Sequence, residues 1–262
     1  MRYFFHIGYH GFNYRGWQKS PQTKGNTVQF IIEDNLSKIL KRDLSIVGCG
    51  RTDAKVNAGQ FFFHVDIDFE WDFDLFFRLN KNLPDDIAVF DIIPMQGQPH
   101  ARFDAIERTY NYFIHTYKDP YLSSTSARYL ERDLRVDEMI KAASVLSKYD
   151  DYSVFSKNIP EGKSTICKVK SAGLYVDKSG DNLKFEITSN RFLNGMIRII
   201  VHRLLMIGRG ELTVDEFENY LITKNKPEIN RLGHPQGLYL TKVTYPFLDL
   251  PIRSEFLNRM IT

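Results

Sequence analysis

Arg2-Tyr3-Phe4-Phe5-His6-Ile7-Gly8-Tyr9 opens the chain with a strand, and the elements after it decide the architecture. Tyr3, Phe5, Ile7 and Tyr9 alternate with Arg2, Phe4, His6 and Gly8, the period of two that sends successive side chains to opposite faces of a sheet. Gly11 to Gly25 is rich in glycine, proline and polar residues and reads as loop. Asn26 or Thr27 then caps a helix, with Gln29 placed like the far side of a capping box. Val28, Ile31, Ile32, Leu36, Ile39 and Leu40 share one face of that helix. A short strand over Leu44 to Val47 follows, and Gly48 to Ala58 is an irregular loop. Phe61, Phe63, Val65 and Ile67 alternate in a third strand. Leu75, Phe76, Leu79 and Leu83 mark a helix stopped by Pro84, and Ile87 to Ile93 is a fourth strand. The order is β-α-β-β-α-β.

The second half repeats it. Tyr110, Tyr112 and Ile114 alternate in a strand over Arg108 to Tyr117, and a helix begins near Asp137. A hairpin follows, Ile166 to Val176 and Leu183 to Ile187, turning at Ser179-Gly180-Asp181. An apolar-rich helix is predicted from about Phe192 to Ile207, a shorter one over Val214 to Ile222, and a last strand over Leu238 to Tyr245. The fold class is therefore α+β. Each half reads as a ferredoxin-like unit, the unit also used by RNA-recognition domains, and the two are expected to share a broad antiparallel sheet with a central cleft. The expected boundaries are 1–104, 105–245 and a tail over 246–262. In the tail, Phe247, Leu248, Phe256 and Leu257 would cover either a second copy or their own chain. Antiparallel sheets with helices on one face leave the other face open, which is a lead toward single-stranded RNA.

Composition sets the outer limits. The 262 residues carry 35 Lys and Arg against 32 Asp and Glu, for a net charge of +3, so any basic surface has to be local. With 43% hydrophobic and 26% charged residues, the chain is globular rather than disordered. Cys49 and Cys167 make neither a disulfide framework nor a metal-ligand pattern. No apolar run approaches the roughly 18 residues of a membrane span, and the first ten residues lack the order of a signal peptide, so no membrane association and a cytoplasmic location are expected. There is no G-x-G-x-x-G loop, P-loop or zinc spacing, so no cofactor and no metal are expected.

The densest chemical signal is the loop Gly48-Cys49-Gly50-Arg51-Thr52-Asp53-Ala54-Lys55-Val56-Asn57-Ala58. A carboxylate at a strand end, with a guanidinium two residues away, is held ionised and aimed. From pattern alone, the favoured reading of Asp53 is a turn residue bonded to its own backbone, with Arg51 solvated.

The loop resembles the G-R-T-D-A-G-V-H-A signature of the tRNA pseudouridine synthase A (TruA) family. Further motifs agree in family order: Gly16-Trp17-Gln18, Thr27-Val28-Gln29, Asn82-Leu83-Pro84-Asp85-Asp86-Ile87-Ala88-Val89, His100-Ala101-Arg102-Phe103, Arg108-Thr109-Tyr110-Asn111-Tyr112, Phe192-Leu193 with Met196-Ile197-Arg198, and Gly237-Leu238-Tyr239-Leu240. The resemblance implies an isomerase that converts uridine to pseudouridine at positions 38–40 in the anticodon arm of tRNA, works as a homodimer, and needs no second substrate. It assigns Asp53 as the essential aspartate and Arg198 as its partner. Tyr110 becomes the aromatic that stacks on the extruded uracil and accepts the C5 proton. Arg51, Arg102, His100 and Lys55 join Tyr110 as substrate contacts. Lys19, Lys24, Lys163, Lys168 and Arg203 are further phosphate candidates. Without the resemblance, Arg198 reads as an exposed helix arginine in a basic stripe with Arg203 and Arg209, and Tyr110 as a core strand tyrosine.

The sequence departs from the family in places. Lys55 stands where glycine is usual, at a position expected to need φ > 0, and Asn57 stands where histidine is usual. In the long helix, Asn194, Gly195, Ile199 and His202-Arg203 also differ, and Gly195 reads as a helix-interior glycine that permits close packing. A non-catalytic RNA-binding protein on the same scaffold is the alternative. A glycoside or nucleoside hydrolase would need a second positioned carboxylate about 5–10 Å from Asp53, which no motif supplies.

Overall fold

The computed structural model describes residues 1–23, 25–131, 133–227 and 231–253. In chain order the elements are β1 (Arg2–Tyr9), α1 (Val28–Leu40), β2 (Val47–Gly48), β3 (Asn57–Asp66), α2 (Leu75–Asn82), β4 (Ile87–Met95), β5 (Glu107–His115), β6 (Ala127–Arg128), α3 (Val136–Val145), β7 (Val169–Val176), β8 (Asn182–Ser189), α4 (Met196–Gly208), α5 (Val214–Thr223) and β9 (Leu238–Thr244). The protein is mixed α+β with mostly antiparallel pairing, and it divides into two compact units. One is Met1–Ile106 with the chain from Tyr239 onward; the other is Glu107–Leu238.

In the first unit β1 lies between β3 and β4, antiparallel to both, with Phe5 opposite Phe63 on one side and Ile92 on the other. The outer edge of β3 is divided. β2 takes one end, Val47 opposite His64, and β9 runs parallel along the other, Asn57 opposite Tyr239. Phe5, Ile7, Phe61 and Phe63 are fully buried, and Trp17 lies 4.0 Å from the Phe61 ring.

The opposite face, carrying Phe4, His6, Phe62 and His64, was expected to be open and is not. Tyr245 meets Phe4 and Phe62 edge-on, Phe247 meets Phe4, and Gln60 binds both the Val243 amide and the Leu250 carbonyl. The Ala101 amide also donates to His64 Nδ1 at 3.1 Å. Left uncovered, two phenylalanines and two histidines would be wetted; all four are buried, Phe4 and Phe62 against the chain after β9, His64 against the turn near residue 101 and His6 against Phe62 and Phe90. Tyr245 and Phe247 thus pack on their own chain, and Leu248 is bridged to Tyr245. Phe256 and Leu257 lie outside the described residues.

In the second unit β8 lies between β5 and β7, antiparallel to both, and the short β6 runs parallel to the end of β5. Several expected boundaries move. The segment Leu44 to Ile46 is not strand, because the Leu44 amide binds Ser37 Oγ and the Ile46 amide binds Glu33 Oε1. Thr27, not Asn26, caps α1 by accepting from the Phe30 amide. Gln29 is no capping-box residue, since its side chain binds Gln18, Glu33 and the Ile46 carbonyl. β7 begins at Val169, with Ile166 in an isolated bridge to Asp151. α4 begins at Met196 rather than Phe192, because Gly195 has φ +73° and is a left-handed cap rather than a helix-interior residue. No described helix is long and apolar enough to cross a membrane.

Candidate active site

The signature loop is laid out by main-chain bonds. After β2, the Cys49 amide donates to the Phe62 carbonyl at 2.7 Å and holds the buried Cys49 against β3. Thr52 is buried, with its hydroxyl 2.8 Å from Tyr9 Oη and its carbonyl accepting from the Trp17 amide. Asp53 then emerges on the surface. A turn over Asp53 to Val56 is closed by the Val56 amide donating to the Asp53 carbonyl at 3.2 Å. Lys55, in its third position, has φ +64°. That is where a type II turn favours glycine, as the sequence led one to expect.

The preceding loop supports this turn. The buried Asn57 accepts from the Gly11 amide at 2.7 Å, and the Lys55 amide donates to the Tyr14 carbonyl. Gly11 and Gly16 are required by close approach: a Cβ would fall 1.9 Å from the Val56 carbonyl oxygen at one and 2.5 Å from that of Thr52 at the other. Asp86 anchors the loop from beneath, accepting from Tyr14 Oη and Asn13 Nδ2. Burial and this carboxylate push the Tyr14 phenol up. Gln18 and the Lys19 amide share Gln29 Oε1, and Lys19 Nζ pairs with the buried Glu33 at 2.6 Å. Trp17, Gln18, Gln29 and Asp86, which carry three of the resemblances, are therefore scaffold for the Asp53 turn. Glu33, Asn57 and Tyr9 do the same work. Glu33 and Tyr9 were not singled out from sequence, and their only signal there was a polar group on an otherwise apolar face.

Arg51 and Lys55 are exposed, and the Lys55 ammonium sits 5.0 Å from the centre of the Phe12 ring. Arg102 is exposed, and His100 is half-buried in the same turn. All of these belong to the first unit, as does Asp53.

Tyr110 and Arg198 belong to the second unit. Tyr110, on β5 opposite Ile187, is 9% exposed and edge-on to Phe192 at 5.0 Å. Tyr112, two residues on, is fully buried and donates to the His234 carbonyl at 2.7 Å. Arg198 lies in the first turn of α4, half-buried. Its Nε donates to the Gly233 carbonyl at 2.8 Å and its own carbonyl accepts from the Gly233 amide at 2.9 Å. This two-way clasp fixes the stem of the guanidinium, so Arg198 is not the solvated arginine that pattern alone suggested. Arg203 is buried rather than a surface phosphate contact: it is 5% exposed, with its guanidinium over the Tyr220 ring. Burial and the cations Arg203, Arg209 and Arg231 pull His202 down. Lys163 and Lys168 are exposed; Lys24 lies outside the described residues.

Comparison with known proteins decides the family. The chain is 41% identical to tRNA pseudouridine synthase A of Parabacteroides distasonis over 97% of its length and 99% of the relative's. The chain belongs to the tRNA pseudouridine synthase A family. The protein of the same name from Porphyromonas gingivalis is 34% identical over 94% of this chain, and that of Ruminiclostridium cellulolyticum 32% over 91%. A family model described as tRNA pseudouridine synthase matches residues 149–246, a stretch holding β7, β8, α4 and Arg198. Family membership thus covers both the Asp53 turn and the Arg198 clasp.

Proposed function

We propose that the protein isomerises uridine to pseudouridine in the anticodon arm of tRNA, with Asp53 as the acting carboxylate. The observation that carries this reading is an acidic side chain presented to solvent from a turn whose backbone is fixed on both sides, in a chain of this family. The reaction is internally balanced. The N1–C1′ bond of uridine breaks, the base turns, and C5 bonds to C1′; the proton lost from C5 is matched by the one gained at N1. Asp53 either bonds C1′ while the base turns or removes the C2′ proton to leave a glycal, and both routes need it ionised and aimed.

Tyr110 offers its ring to the extruded base and its hydroxyl to the C5 proton. Arg198 supplies the counter-charge to the carboxylate, and its clasp to Gly233 favours that role by reducing the order the guanidinium must gain. Arg51, Lys55, Arg102 and His100 line the RNA path. The strand order β4-β1-β3-β2 in the first unit supports a ferredoxin-like half there, and a second such half in the rest of the chain is part of the proposal. A homodimer working in the cytoplasm completes the reading.

Asp53→Ala and Asp53→Asn test it. The turn is closed by main-chain bonds that neither substitution removes. Both variants are expected to bind tRNA about as well as the parent. Pseudouridine, mapped by mass spectrometry, should fall by at least about a thousandfold. Pseudouridine still formed by Asp53→Ala would overturn the assignment.

A further inference from the structure

The turn from His100 to Asp104 is built to hold one aromatic ring in water. Every main-chain amide along it is paired. That of His100 donates to Asp104 Oδ2 at 2.7 Å and that of Asp104 to the His100 carbonyl at 3.1 Å. The Arg102 and Phe103 amides both donate to His100 Nδ1, at 3.1 and 3.2 Å, and the Ala101 amide donates to His64 Nδ1. Tyr245 Oη closes the Ala101 carbonyl at 2.6 Å. Two imidazole nitrogens thus accept three consecutive backbone amides. The Phe103 ring lies nearly parallel on the His100 ring, with centroids 4.3 Å apart and planes 28° from parallel, and His100 in turn meets His64 edge-on. Phe103 is nevertheless 76% exposed, and the exposed Arg102 is its neighbour.

A phenylalanine so placed contributes little to the core, yet the turn beneath it is ordered at every amide. One ring face rests on an imidazole and the ring is otherwise presented to solvent. That is the geometry of a stacking surface whose conformational entropy has already been lost. We propose that Phe103 is a stacking platform for an unpaired base of the RNA substrate, with Arg102 beside it for the adjoining phosphate. This rests on the tRNA reading above and adds to it a residue outside the reacting set.

The test compares Phe103→Ala, Phe103→Trp and Phe103→Leu in equilibrium binding to an unmodified tRNA transcript and to an RNA duplex of similar length. Steady-state turnover and sedimentation are followed in parallel. Phe103→Ala is expected to weaken tRNA binding about tenfold, the scale of one lost base–aromatic stack, while leaving duplex binding unchanged. KM should rise with kcat nearly constant. Phe103→Trp should bind as the parent does, and Phe103→Leu as the alanine variant does. Unchanged tRNA affinity in Phe103→Ala would overturn the proposal. So would full affinity in Phe103→Leu, or a smaller assembly in sedimentation, which would place the ring between two copies of the chain. A parent protein that binds tRNA without forming pseudouridine would remove the catalytic reading and leave this one standing, because the platform is read from binding.

Discussion

Lys55 shows what one residue can reveal about a site. Its backbone sits at φ +64°, where a side chain costs about 1 kcal/mol that glycine would not. Among the described residues the other two lysines with positive φ, Lys41 and Lys224, end helices, where a left-handed cap is ordinary. Lys55 has no helix to end. Its ammonium rests over Phe12, two residues along the chain from the exposed carboxylate of Asp53. Lys55→Gly should therefore relax the turn and raise stability by a few tenths to about 1 kcal/mol in chemical denaturation. The same change should reduce the slope of log K against log salt for tRNA binding by about 0.7–0.9, the loss of one phosphate contact. A slope identical to the parent's would show that the lysine is only tolerated there. The need for a positive φ was readable from the sequence, because the motif places glycine at this point. The Phe12 contact was not, since nothing in residues 10–18 fixes which side chain of that loop faces the turn.

At the scale of elements, alternation and helical periodicity located nearly every strand and helix, and several of the misses share one cause. Side chains divert backbone groups from the element that local pattern suggests. Ser37 and Glu33 take the amides of Leu44 and Ile46 away from a strand, and Gln29 leaves its capping position to bind Gln18 and Glu33. Apart from the Gln29–Glu33 bond, which spans four residues within the helix, these contacts join residues 7, 11 and 13 apart, which no window of local propensity resolves. β6, only Ala127–Arg128, is too short to carry a period at all. The entry to α4 is the case with consequences. Gly195 turns the chain at φ +73°, Ile199 donates back to its carbonyl at 3.0 Å, and Arg198 follows within the first turn. An alanine Cβ here would lie 3.1 Å from Leu232 Cδ2 on a backbone that disfavours it. Gly195→Ala should cost about 1–2 kcal/mol and lower Tm by several degrees. Amide exchange should quicken over the first turn of α4. An unchanged Tm would mean that the cap can re-form without the left-handed residue.

Across the whole molecule, buried histidines set the response to acid. His64 is buried under the turn at residue 101, and burial, with help from the Arg2 and His100 charges, pushes it down to about 4. Its Nδ1 has to stay unprotonated to accept the Ala101 amide. His6 and His115 are fully buried and also lowered, in each case mainly by burial, although Asp91 pulls His6 the other way. Among the described residues neither ring nitrogen of His115 finds a hydrogen-bond partner, nor does Nε2 of His6, so a charge placed there is poorly solvated. The sign follows from proton counting. Between about 4 and 6.5 an unfolded chain holds its histidines protonated while the folded one keeps His64 neutral, so unfolding takes up protons. The stabilisation is complete above 6.5 and is lost as the pH falls toward 4, each unit of depression being worth about 1.4 kcal/mol. Urea unfolding between pH 7.5 and 4.5 should show stability dropping steadily below 6.5. His64→Asn keeps an acceptor near the Nδ1 position and has nothing to titrate. It should flatten that acid limb, and it should do so while leaving Phe103 in place, because the His100 acceptor for the Arg102 and Phe103 amides is untouched. A limb of the same slope in His64→Asn would assign the acid response to the other lowered histidines, His6, His115 and His202, instead.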